Sequence, residues 1–149
     1  MFGKNRKYKK AANAIGPYIH QQIVKAMEAR QDVFSNPEEI AFVAGYLYSL
    51  MWNTLDKRGC KDADVQTAML KHVCDGVIPG RLWDVVERGQ ALGSSFFGDS
   101  KPEYTSPREA YELGTGCGIY DATEFDDAGT APENLRRYIV DKLVKNIYS

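Results

Sequence analysis

Apolar residues recur along this chain at helical spacing in five or six separate stretches, and nowhere in the alternating pattern of a half-buried strand. The longest apolar run, Ile40 to Trp52, is interrupted only by Gly45 and Ser49. As a helix its span is about 20 Å, short of the roughly 30 Å needed to cross a bilayer. A helix apolar nearly all round belongs in the middle of a bundle. The pattern therefore predicts an all-α, single-domain bundle of five to six helices around a buried central helix at about 37–57.

Capping signals punctuate the pattern. Asn36-Pro37-Glu38-Glu39 places a capping side chain, a proline at the first helical position and an acid three residues after the cap. Ser106-Pro107-Arg108-Glu109 repeats the arrangement, and Thr130-Ala131-Pro132-Glu133 is a looser version. Each supplies acceptors for orphan N–H groups and negative charge at the positive end of the helix dipole. A first helix is expected over 17–31, with Ile19, Ile23 and Met27 facing inward. Gly16-Pro17 is expected to break the chain just before it, leaving 1–15 as a separate turn or a mobile basic arm. A third helix, capped by Asp62 or Asp64, runs to Cys74 with Val65, Met69 and Val73 inward. A fourth covers Arg81 to about Phe97, with Leu82, Val85, Val86, Gly89 and Leu92 inward. Residues 98–105 read as a polar loop, and a last helix spans Ala131 to Ile147 with Leu143 on its inner face.

The stretch 107–125 resists the pattern. It opens on a strong cap and then reads Leu113-Gly114-Thr115-Gly116-Cys117-Gly118. Three glycines cost a helix roughly 3 kcal/mol relative to alanine. Either the helix stops near Leu113 or close packing offsets the loss. Gly114 and Gly118 lie four apart, as do Gly89 and Gly93, so a close crossing of the fourth and fifth helices is expected in the second case.

Composition adds little to this picture, but charge distribution changes it. The 149 residues carry a net charge of -1, which gives no overall pull toward nucleic acid or anionic membrane. Residues 1–27 nevertheless hold Lys4, Arg6, Lys7, Lys9, Lys10 and Lys25 and no acid, whereas residues 98–134 hold nine acids against Lys101 and Arg108. Such segregation speaks of surfaces and association. No apolar segment follows the basic start, so neither a secretory signal nor a membrane anchor is expected. An odd number of cysteines with no CxxC pair reads as reduced thiols in a cytoplasmic protein.

Candidate chemistry is sparse. Gly93-Ser94-Ser95-Phe96-Phe97-Gly98 misses the GxSxG spacing of a nucleophile elbow and has no strand before it. Cys117 among glycines is the better nucleophile, with His72 as the available base. Neither His20 nor His72 belongs to a Glu-x-x-His pair for a di-metal bundle, and the cysteines lack zinc spacing. The acidic stretch from Asp121 to Gly129 lacks the ligand spacing of a calcium loop and reads as a solvated loop. The glycine string matches no phosphate-loop pattern. The joint between helices three and four has some flavour of a helix-turn-helix. Asp84 and Glu87 balance Arg81 and Arg88 there, leaving no net attraction for phosphates. No cofactor, metal or catalytic set is assigned. The expected function is a small non-enzymatic protein that binds another protein or itself, with dimerisation in view. One alternative is a nucleic-acid-associated protein using Lys4, Arg6, Lys7, Lys9 and Lys10 with Tyr8 as a stacking ring. The other is a thiol-dependent enzyme centred on Cys117.

Overall fold

Asn36 starts the central helix as its sequence predicts. Its side chain accepts a hydrogen bond from the Glu39 amide at 2.7 Å, and Pro37 occupies the first turn. The Glu39 carboxylate is fully buried and reaches back to the Phe34 amide at 2.6 Å, while its other oxygen takes the Arg30 guanidinium at 2.5 Å. That reach lets Phe34 hold the left-handed backbone conformation that turns the chain into the helix. In the computed structural model, which describes residues 2–77, 82–93, 102–128 and 132–144, this helix is the second of six. They are α1 (Phe2–Ala29), α2 (Pro37–Asp56), α3 (Ala63–Val77), α4 (Leu82–Gly93), α5 (Pro102–Ala128) and α6 (Asn134–Asp141). The described residues contain no strand.

All the other helices pack on α2. Ile40 through Leu47, and Leu50, Met51 and Leu55, are buried, and they form one core with Ile15, Ile19 and Ile23 of α1, Leu70 of α3, Leu82 and Val86 of α4, and Leu135 and Ile139 of α6. The all-round apolar pattern of α2 is thus the signature of its central place.

The closest neighbour of α2 is α5, and the contact is made through glycine. A Cβ on Gly114 would collide with the Phe42 carbonyl, and one on Gly118 would lie 2.5 Å from the Tyr46 carbonyl. On the facing side, a Cβ on Gly45 would collide with the Tyr111 carbonyl. The three-glycine stretch is therefore helical throughout, and direct backbone approach offsets its poor propensity. The expected partner was α4, and that expectation is corrected. Gly89 of α4 instead meets the Ile40 carbonyl of α2, and Gly93 meets the Tyr111 side chain of α5. Gly114→Ala should cost about 1–3 kcal/mol in a denaturant melt, because the atom in the way is main chain and cannot rotate aside. A stabilised variant, as at a free helix position, would show that the helices are not in contact there.

Four boundaries differ from their sequence expectations. The break at Gly16-Pro17 does not occur, since α1 continues through Pro17, and Ala11, Ala12 and Ile15 before it are buried. Glycine has no Cβ to clash with the following proline ring, and Pro17 itself is exposed, so the helix passes at the loss of one hydrogen bond. Residues 2–15 are thus helix rather than a separate arm. Helix α5 begins at Pro102, not at Ser106, and carries Pro107 inside it. Pro102-Glu103 is itself a proline-and-acid start, equivalent to Pro37-Glu38. The helix then runs on to Ala128, so residues 121–128 are helix where a loop was expected. At the other end of the chain, α6 occupies only Asn134–Asp141, and Lys142 turns left-handed to end it. The Lys142 ammonium lies 4.0 Å over the Tyr138 ring. Leu143, expected inward, is consequently 70% exposed. Residues 94–101 and 145–149, where the expected ends of the fourth and sixth helices fall, lie outside the described residues.

Inward stripes shift as well. Met27 is 51% exposed, and Ala26 takes its place in the core. A strict spacing of four drifts about 40° per step around a helix of 3.6 residues per turn, so the third member leaves the face set by the first. In α3 the same drift makes Gln66, Leu70, Val73 and Cys74 the buried set, with Val65 and Met69 at its edge.

Candidate functional site

Beside their closest contact α2 and α5 leave an open groove of about 410 Å³, lined by Gly45, Tyr48, Ser49, Trp52, Asn53, Tyr111, Thr115 and Ile119. Its position follows from the glycine contacts. Phe42 faces Gly114 and Tyr46 faces Gly118, so the two helices run in the same direction and the groove follows both. Tyr48 and Tyr111 stand toward one end, Trp52 and Ile119 toward the other. Trp52 is 46% exposed, the largest aromatic ring on an otherwise buried helix to reach solvent.

Polar groups in the floor are engaged within the protein. Ser49 Oγ donates to the Thr115 carbonyl at 2.7 Å, Thr115 Oγ1 to the Tyr111 carbonyl at 3.0 Å, and Asn53 Nδ2 to the Ser49 carbonyl at 2.7 Å. The Tyr48 hydroxyl donates to Gln90 at 2.9 Å, and its ring leans on Trp83. Burial pushes both tyrosine hydroxyls above their ordinary range, with Tyr111 and Glu87 adding to the shift at Tyr48, so both stay neutral. The lining contains no histidine, cysteine or carboxylate. What it offers is aromatic surface over a satisfied floor.

A second cluster is buried and escaped the sequence pattern. Asp121 of α5 is fully buried and accepts four hydrogen bonds: from Tyr18 at 3.0 Å, Tyr46 at 2.6 Å, the Asn134 amide at 2.9 Å and Asn134 Nδ2 at 2.8 Å. Gln22 donates to Tyr46 and accepts from the Arg136 amide, and the Glu133 amide donates to Tyr18. The N-terminus of α6 is thereby capped by side chains from α1 and α5, since Glu133 at its own cap position makes no such bond. Desolvation raises the Asp121 carboxyl above its ordinary range against the opposing pull of these donors. Burial and the nearby carboxylate also raise Tyr18 and Tyr46. The network joins three helices and holds a short fourth in place.

The residues singled out in sequence divide between surfaces. Arg6, Lys7, Lys9 and Lys10 are exposed on α1, whereas Tyr8 is half-buried and packs on the core. The Lys4 side chain lies outside the described residues, as do those of Ser94, Ser95, Phe96, Phe97 and Tyr104. Cys117 is fully buried, and burial, with Asp121 one turn away, pushes its thiol up to about 12. His72, considered as its base, instead lies 3.2 Å from Asn13 on the α1–α3 side. Among the described residues no three histidines, cysteines or carboxylates come together as a metal site, and no helix is long and apolar enough to cross a membrane.

No protein-family model, curated protein or solved structure matches the chain.

Proposed function

We propose that this is a non-catalytic helical protein that acts by protein–protein association, with the Trp52 groove as its docking face and a second copy of the chain as the occupant. The observation that carries the reading is the pairing of a protruding ring with a hollow on one surface. Trp52 stands at one end of the groove, and Tyr48 and Tyr111 bound its other end. An isologous dimer needs a self-complementary patch. A two-fold axis across Ser49 and Thr115 would bring each Trp52 into the other copy's hollow. Tryptophan and tyrosine are the residues that most often dominate such contacts, and a net charge of -1 opposes the approach of two copies only weakly. One ring seated in each hollow buries less than the roughly 1,200–2,000 Å² of standard stable interfaces, so a weak, micromolar dimer is expected.

Sedimentation equilibrium from low micromolar to high micromolar concentration tests this. Wild type should shift from monomer to dimer, and Trp52→Glu should weaken the dimer by at least about tenfold. In a Trp83→Phe background, Trp52 emission should move to the blue as the dimer forms. Trp52 is half exposed, so its replacement leaves the core untouched. A wild-type monomer throughout the range, or a Trp52→Glu chain that dimerises like wild type, would overturn the proposal.

A further inference from the structure

The chain has two histidines, one on α1 and one on α3, and both line the same open groove. This cavity, 440 Å³ in volume, lies between the two helices away from Trp52. Asn13, His20, Gln21 and His72 give it polar walls, and Pro17 and Val73 give it apolar surface. Small-molecule sites are commonly about 300–1,000 Å³ and combine a few convergent polar groups with such surface. Asn13 Oδ1 lies 3.2 Å from His72 Nε2 and only accepts, so a cationic His72 that donates to it keeps its second donor, Nδ1–H, for an anion.

Charge decides the ligand class. Arg6, Lys9, Lys10, Asn13, Pro17 and His20 recur at steps of three and four along α1, which puts them on one face leading to the groove. Arg6, Lys9 and Lys10 are exposed, and residues 1–27 contain no acid to offset them. On α3, Lys71 adds to the field and Asp75 opposes it. We infer that the α1–α3 groove binds a small phosphate ester. The anion sits at the imidazoles, the cationic stripe draws it in, and the organic part lies on Pro17 and Val73. The continuity of α1 through Pro17 makes the site, because it aligns the stripe with His20. This inference is independent of the Trp52 groove and of the oligomeric state.

Side-chain NMR of the two imidazoles tests it, with inorganic phosphate, adenosine monophosphate and a single-stranded oligonucleotide as separate probes. Adenosine monophosphate should shift both rings saturably and bind more tightly than inorganic phosphate, because the ester adds contact with the apolar surface. His20→Gln and His72→Gln should each weaken it by about tenfold, the loss of one charge-assisted hydrogen bond. Gly76→Phe supplies an arm that removes no charge. A Cβ there meets nothing within 4 Å, so the ring can fill the groove without disturbing the fold, and binding should be lost. Both histidines are exposed, and circular dichroism verifies that each variant is folded. Shifts that never saturate, or that survive Gly76→Phe unchanged, would reduce the effect to surface ion attraction and overturn the site. Affinity that grows with oligonucleotide length and outstrips the mononucleotide would replace it with a nucleic-acid surface along the stripe.

Discussion

Asp121→Ala should destabilise the protein by about 3–5 kcal/mol at mildly acidic pH, among the largest effects of any single substitution here. Four donors converge on this buried carboxylate, and alanine removes the acceptor they share. Each orphaned buried donor costs about 1–3 kcal/mol, and relief of a desolvated charge returns part of the total. The pH dependence has a definite sign. Burial raises the Asp121 carboxyl in the folded state, so protonation favours folding. That contribution is complete below the ordinary carboxyl range of the unfolded chain and fades as pH rises through the folded state's higher value. The gap between wild type and variant should therefore narrow toward neutrality. Urea melts at several pH values measure it. A cost below about 1 kcal/mol throughout would mean that the donors find other partners, and a gap that widens toward neutral pH would mean that the four hydrogen bonds outweigh burial.

Leu47→Ala should cost about 2–5 kcal/mol, whatever the pH. Leu47 has no exposed surface and lies midway along α2, where helices on several sides limit collapse around a deleted side chain. The loss combines transfer of the missing carbons with the cavity they leave, so a destabilisation near the lower limit would indicate local collapse. A change below about 0.5 kcal/mol would place α2 at the surface and contradict the architecture.

These two substitutions also mark what could be read in the chain. Leu47 belongs to a run so apolar that only a central helix accommodates it, and Asn36-Pro37-Glu38-Glu39 marks its start because a cap is a local interaction between neighbours in sequence. Asp121 had no such marker. Four of its hydrogen bonds come from residues 13 to 103 positions away, and an acid in an acidic stretch looks solvated until those partners are known. Pro17 and Pro107 misled in the same direction, because a proline reads as a boundary unless the preceding residue and the exposed side of the helix are known. The glycines announced a close crossing but pointed to α4 as its partner, since the matching gap, Gly45, is hidden inside the longest apolar run. For the Trp52 groove, periodicity shows that α2 is buried but not which ring the last turns of a buried helix leave at the edge. The two histidines match no metal or nucleophile pattern along the chain. Their common groove arises from the packing of α1 on α3, which spacing along the chain does not encode.

The glycine contact between α2 and α5 bears on the order of assembly. Tyr46 and Asp121, joined across it, are 75 residues apart, with α3 and α4 in the intervening chain. Helical bundles usually gain speed from neighbours in sequence that meet early, whereas this pair must close a long loop before its contacts return any free energy. Until then α5 has its own propensity, lowered by three glycines, and its packing on α4 to hold it helical. Formation of α5 is thus coupled to its arrival on α2, and the N-terminus of α6, capped by Asp121, can be completed only afterwards. The last helices to form thus wait on a loop closure of 75 residues.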